Sequence, residues 1–378
     1  MKVQLDLRWF PPIIAIIVII VLVLDWLRWI GPPIIVPVCQ ISGNSPWPMQ
    51  PGVPKDLGNL YLQLNEDRSL HLGVDIVSPV GSKVYAIEDG VIVARYEAGG
   101  HYDEITVESS STPGKATTYT HLASMTKKVE GESVDEGEEL GLVAPFDPYV
   151  VSPGTYDHLH LERDEPDPGG VSSDGIWESF HAAENPLKRL SLPGDTHTPL
   201  FLPTTASAVR PGNCESSPYL ALAENRPDGW LSGSRTFVCP GELEAGKNYD
   251  IIVRVDERPF TGSNWVNRPF CLMVRITSVA DGVLDFSTEL RFDGPQGNPS
   301  FAGPPDFVFG GANDLLLTEA PIVGQRDFYL VATNQVYSDG FWKPEAIGGV
   351  KTEYELVVEA ADSTGTKTTV TQLVTVHP

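Results

Sequence analysis

Asp157-His158-Leu159-His160-Leu161-Glu162 alternates polar and apolar side chains at every position after the first. A strand places successive side chains on opposite faces, so His158, His160 and Glu162 share one face and the two leucines the other. Glu104-Ile-Thr-Val-Glu108 and Ala116-Thr-Thr-Tyr-Thr-His-Leu122 repeat that period. The same count puts Tyr119 and His121 on one face of their strand. Lys83 to Arg95 reads as two strands joined by a hairpin turn at Glu88-Asp89-Gly90. Only a short stretch, Ile176 to Ala183, has a helical pattern. Residues 57–190 are therefore expected to form a mainly antiparallel β domain.

Beyond it, Pro193, Gly194, Pro199, Pro203, Pro211 and Gly212 mark a linker over 191–213. Strand patterns then recur at Tyr249–Val255, Cys271–Ser278, Phe328–Thr333, Tyr354–Ala360 and Thr368–Val376, the last two separated by a turn at Asp362-Ser-Thr-Gly. Residues 214–378 are expected to form a β-sandwich accessory domain, with an immunoglobulin-like arrangement as one form of it. Glu130 to Glu139 carries six acids, read as a solvated face, with a calcium site as the alternative.

At the other end, Ile13 to Leu24 is an unbroken apolar run, preceded by Lys2 and Arg8 and followed by Trp26, Arg28 and Trp29. Segment 1–39 reads as a membrane-targeting helix. An uncleaved single-pass anchor is the reading taken; a cleaved signal peptide, which would release the chain as a secreted protein, and a lipid-modified Cys39 are alternatives. No polar face marks it as a buried helix of a soluble domain. Pro, Gly and Ser in 40–56 suit a linker leading away from the membrane. The bulk of the chain is then extracytoplasmic. Four cysteines, Cys39, Cys214, Cys239 and Cys271, fit that compartment, with Cys214–Cys239 the pairing guessed. The absence of a C-x-x-C argues against a thiolate metal site.

Of 378 residues, 26 are Lys or Arg and 50 are Asp or Glu, a formal net charge of −24 that argues against a nucleic-acid partner. Hydrophobic residues make up 41%, too many for a disordered chain. A mean hydropathy of −0.09 excludes a multi-span membrane protein.

Eight histidines are present, and His71, His121, His158 and His160 fall in the first β domain. His71 and Asp75 stand four apart in an extended segment, hence on one face. Two imidazoles and one carboxylate offer three N/O ligands to a divalent ion and leave a fourth position open, as catalytic rather than structural zinc sites do. Imidazoles left over titrate near neutrality and can carry protons. Each pattern alone is more often structural; their combination in one β domain is what carries the reading. His101, His181, His197 and His377 lack such partners and read as structural or exposed.

His71-Leu-Gly-Val-Asp-Ile-Val-Ser-Pro-Val-Gly-Ser-Lys-Val-Tyr-Ala, Asp89-Gly-Val-Ile-Val, Thr118-Tyr-Thr-His-Leu and Asp157-His-Leu-His-Leu-Glu together resemble the lysostaphin/LytM-type zinc metallopeptidases. The similarity covers about 57–190, in the family's order, with Val129–Gly141 similar to its glycine-punctuated hairpin and Asn185-Pro-Leu to its exit. The resemblance implies that His71, Asp75 and His160 bind Zn2+ and that His121 and His158 are non-ligand catalytic histidines. It also implies hydrolysis of peptide bonds in peptidoglycan cross-links. Alternatives are a non-catalytic wall-binding or activating module and a protease of another extracellular protein. Glu162, on the face of His160, is a candidate partner of a ligand or a plain surface carboxylate. Gly99-Gly-His-Tyr-Asp, the Ser109-Ser-Ser-Thr-Pro-Gly tip and Ala144–Tyr156 depart from the family pattern, in expected groove-lining loops. The C-terminal domain is expected to bind wall polymer or a protein partner, or to act as a spacer. Trp230, Trp265 and Trp342 are candidates either for stacking on sugars or for its core.

Overall fold

Valine and isoleucine at alternate positions commit Gly73–Val77 to a strand, with Val74 and Ile76 fully buried and Asp75 on the opposite face. The computed structural model describes residues 43–51, 56–61, 71–146, 156–164, 184–191, 198–203, 219–225, 236–257, 269–292, 309–310, 328–333, 340–362 and 364–378. The described part is mainly β.

The first sheet contains β1 (Asp56–Leu57), β2 (Gly73–Val77), β3 (Lys83–Tyr85), β4 (Gly90–Tyr96), β5 (Asp103–Ser109), β6 (Ala116–Ala123), β7 (Ser133–Val134), β8 (Glu139–Val143) and β9 (His158–Asp164). Among the described residues its order is β1-β2-β9-β6-β5-β4-β7, with β8 linking β6 to β3. Every pairing in it is antiparallel. Val74, Ile76, Leu159, Leu161, Tyr119 and Ile105 from its four central strands fill the core beneath.

Two local readings need correction. β3 and β4 do not form a hairpin: β3 pairs with β8, while β4 pairs with β5 and β7. The intervening Glu88 is buried, and its carboxylate accepts hydrogen bonds from Ser109 and from the guanidinium of Arg163. That buried ion pair draws the connection across the core instead of letting it turn back. Nor do Tyr119 and His121 share a face. Tyr119 stays in the core, where its hydroxyl accepts from the Ile87 amide at 2.9 Å. The β5–β6 register skips between Asp103 and Glu104, which pair with Leu122 and Thr120, so His121 is the extra residue of a bulge. Its φ is +66°. This left-handed turn of the backbone moves its imidazole to the face opposite Tyr119.

The remaining strands are β10 (Leu200–Leu202), β11 (Leu220–Glu224), β12 (Phe237–Val238), β13 (Leu243–Glu244), β14 (Tyr249–Asp256), β15 (Cys271–Ser278), β16 (Leu284–Arg291), β17 (Phe309–Gly310), β18 (Phe328–Val331), β19 (Thr352–Ala361) and β20 (Lys367–His377). They form a sheet β12-β11-β14-β18-β17 with β10 on β14, and a second sheet β13-β20-β19-β15-β16. Four of the five C-terminal strand patterns read from sequence lie within these strands, and the fifth, Phe328–Thr333, overruns β18 by two residues. One pairing, β13 with β20, is parallel.

Stretches read as linkers carry paired backbone: Ser45 bridges Leu190, Met49 bridges Val84, and β10 lies within 191–213. Asn185 is fully buried, accepts from the Leu187 amide at 3.0 Å and donates to the Phe292 carbonyl at 2.9 Å. Segment 1–39, the helix expected at Ile176–Ala183, Cys39, Cys214, Trp230, Trp265, His181 and His197 lie outside the described residues. Among the described residues no helix is long and apolar enough to cross a membrane. Cys239 and Cys271 each take part in a disulfide. Trp342 belongs to the core, 1% exposed, with its indole N–H on Asp285 at 2.7 Å.

Leu161 is fully buried on the core side of β9, directly between His160 and Glu162. Leu161→Ala is expected to destabilise the protein by about 2–5 kcal/mol, read from the midpoint of urea denaturation.

Candidate functional site

The β2–β9 register pairs Asp75 with His160, and residues directly opposite each other point to the same face. β6 adds Thr120 on the other flank of His160. His71, immediately before β2, is held by a hydrogen bond between its Nδ1 and the Leu60 carbonyl at 3.1 Å. A carbonyl only accepts, so the proton sits on Nδ1 and the Nε2 lone pair faces the site. His71 Nε2, His160 Nδ1 and Asp75 Oδ1 then lie 3.0 Å from one another in each pairing. Tetrahedral coordination at ~2.0–2.1 Å separates neighbouring ligand atoms by roughly 3.3 Å, so the triangle is the right size for a divalent ion. Among the described residues this is the one group of His, Cys, Asp and Glu able to hold a metal.

Gly73 makes the close packing possible. A Cβ there would fall 2.5 Å from the Leu161 carbonyl oxygen and 2.7 Å from His160 Nε2, so the imidazole of His160 lies against bare backbone. On its far side, His160 Nε2 points toward Glu162 Oε2 at 3.7 Å. Glu162 is buried, not the surface carboxylate that was its plain alternative, and its Oε1 lacks a hydrogen bond. A carboxylate behind a ligating imidazole fixes the ring and raises its basicity.

Burial alone would raise the Asp75 carboxyl, but electrostatic attraction to the His158 and His71 imidazoles and hydrogen bonding with the surrounding histidines, His160 foremost, hold it well below the usual carboxylate range. Burial works against charge on His160 too, yet Asp75 and Glu162 together raise it to about 10. For His158 burial wins: it outweighs the attraction of Asp75, whose Oδ1 lies 3.5 Å away, and the pKa is lowered. Its Nδ1–H is donated to the Tyr156 carbonyl at 2.8 Å. The neighbouring rings of Tyr156 and Phe146 have centroids 4.4 and 4.7 Å away and keep it dry.

The bulge brings His121 to this face. Its ring stands edge-on to His158 at 4.6 Å and to His160 at 6.0 Å. Left-handed backbone costs a non-glycine residue about 1 kcal/mol or more, and such strain concentrates at functional sites. All five residues singled out from sequence are therefore gathered in one place. Sequence reading missed Tyr156, whose hydroxyl donates to Asp75 Oδ2, and Phe146, whose amide donates to Asp157 at 3.0 Å. Their one signal was that Ala144–Tyr156 departs from the family pattern. Of the other histidines, His377 is exposed and bonded to the Gly241 carbonyl at 2.8 Å. In the acidic run, Glu138 pairs with Lys128, Glu139 with Lys83, and Glu130 accepts from the Arg95 amide.

Residues 69–168 match the model of peptidase family M23, and the chain carries a domain of that family. Similar solved structures include a zinc containing peptidase from Vibrio cholerae, 20% identical with a TM-score of 0.25 over 31% of this chain and 35% of that one. A putative glycyl-glycine endopeptidase lytM from Ruminococcus gnavus is 24% identical, with a TM-score of 0.21 over 26% of this chain and 41% of that one. The catalytic domain of the antimicrobial peptidase lysostaphin from Staphylococcus simulans is 26% identical, with a TM-score of 0.24 over 33% of this chain and 86% of that one. The match thus spans well under half the length of the first two. A comparison with curated proteins returned no match.

Two outcomes follow from this geometry. Gly73→Ala should cut metal content to below a tenth of an equivalent, measured by elemental analysis, although all three ligand residues remain. Because His160 holds a proton up to about pH 10 without metal, metal uptake at pH 7.5 should release about one proton. Calorimetric titration in buffers of different ionisation enthalpy measures it, and affinity should weaken as the pH falls.

Proposed function

We propose that the protein is a zinc-dependent endopeptidase that hydrolyses peptide bonds in peptidoglycan cross-links. The observation that carries this reading is the convergence of His71 Nε2, Asp75 Oδ1 and His160 Nδ1 at 3.0 Å, with two further imidazoles beside them. His71, Asp75 and His160 hold the ion, two neutral imidazoles and one carboxylate matching the ligand chemistry zinc accepts. When bound, zinc supplies Lewis acidity, polarising a peptide carbonyl and acidifying water.

The protein's own groups do the remaining work. His158 is kept neutral by burial, with its Nδ1–H committed to Tyr156, so its Nε2 is free to accept a proton at neutral pH. His121, on its bulge, reaches the same space from the opposite side. Between them the two imidazoles take the proton of the attacking water, offer N–H to the oxyanion and return a proton to the leaving amine. Aromatic walls from Phe146 and Tyr156 limit water beside His158 and strengthen these interactions.

Around this centre we read segment 1–39 as a membrane anchor and residues 214–378 as an accessory sandwich, immunoglobulin-like in form, that holds wall polymer or a protein partner. The peptidase domain then works outside the cytoplasm, tethered near its polymeric substrate.

Purified full-length protein should hold one equivalent of zinc and cleave cross-linked wall peptides, with a chelator abolishing cleavage. His160→Ala should lose zinc and hydrolysis together. His121→Ala should keep zinc while hydrolysis falls by about 10²–10⁴-fold. Normal cleavage by either variant would refute these roles. Zinc retention without cleavage by the unaltered protein would favour a binding or activating module instead.

A further inference from the structure

We propose that Tyr156 is a positioning residue of the metal site, one that presents Asp75 through a single oxygen and aims His158 from the same backbone position. The inference rests on the reading of His71, Asp75 and His160 as metal ligands. The phenol hydroxyl of Tyr156 donates to Asp75 Oδ2, while Oδ1 is the atom within 3.0 Å of both His71 Nε2 and His160 Nδ1. The carboxylate thus has one oxygen committed to the protein and one turned to the ligand triangle. A hydrogen bond from a neutral donor to a carboxylate is charge-assisted, strong and directional. It stops Asp75 from rotating to offer both oxygens and so keeps one coordination position open for substrate.

Tyr156 can do this because it is fixed on every side. It is 6% exposed. Its ring crosses Gly58, where a Cβ would fall 2.5 Å from ring Cε2 and 2.7 Å from the hydroxyl. The Gly58 amide in turn donates to the Asp75 carbonyl at 2.9 Å, so the backbone beneath the ring is tied to the residue the ring holds. On the other flank the ring packs on His158 and Phe146. Asp157 anchors the approach to β9, its side chain accepting from Phe146 and its carbonyl from the Ser78 amide at 2.9 Å. The Tyr156 carbonyl accepts from His158 Nδ1, so one residue orients a ligand through its side chain and a proton carrier through its main chain.

The test is Tyr156→Phe in the full-length protein, which keeps the ring and removes the hydroxyl. Zinc affinity is read by competition with a chromophoric chelator, coordination from the visible spectrum of the cobalt-substituted protein, and folding from the melting temperature without metal. Zinc affinity should fall 10–100-fold and the cobalt bands should weaken as the coordination number rises, with the metal-free melting temperature held. Should that variant melt early, Gly58→Ala decides: it displaces the ring while the hydroxyl remains, and the same loss of affinity is expected. Unchanged zinc affinity and an unchanged cobalt spectrum in either folded variant would overturn the proposal. If the unaltered protein takes up no zinc, or Asp75→Ala binds it equally well, the metal-site reading itself has failed and the role of Tyr156 falls with it.

Discussion

The antiparallel ladder between β2 and β9 sets the distances on which the chemistry depends. Backbone hydrogen bonds fix which residues stand opposite each other, and a one-residue slip would turn every side chain to the other face. In this register Asp75 meets His160 and Gly73 meets Glu162. The first pair provides two ligand atoms at 3.0 Å; the second leaves bare backbone under an imidazole with a carboxylate beyond it. Val74, Ile76, Leu159 and Leu161 hold the register, because slippage would expose four fully buried side chains.

Placing several ionisable groups in so small a volume is costly without compensation. Asp75 is buried, yet it faces three imidazoles and a phenol hydroxyl. Without metal, the proton on His160 supplies positive charge where a divalent ion would supply more. The same rule operates across the sheet, where Arg163, fully buried, meets Glu88 and donates to Thr117 at 2.9 Å. Two of its nitrogens lack partners. β9 therefore carries charge on both faces: the histidine–aspartate cluster on one, and on the other an ion pair that ties the β3–β4 connection to the sheet.

His158 and His121 reach the site by different means. His158 arrives through regular alternation, two positions from His160 on a straight strand. His121 arrives through a break in alternation, at a bulge with positive φ. Period-two counting places it with Tyr119 in the core, and no local feature of Thr118-Tyr-Thr-His-Leu signals the extra residue. A bulge depends on what the partner strand offers, and that is a property of the pair.

The alternation of Asp157–Glu162 and of Gly73–Val77, with the resemblance their histidines carry, sufficed for a β scaffold and singled out five side chains that the fold gathers in one place, since strand periodicity and ligand chemistry are local properties of the chain. The same local reading could not see that Glu88 is pulled inward by an arginine 75 positions away, that β3 pairs with β8, or that His121 leaves its expected face. Nor did it reveal Tyr156 over Gly58, gripping Asp75 from 81 positions away. Each of these is a contact between segments remote in sequence, decided by which strands share hydrogen bonds and which buried polar groups must find one another once water is gone.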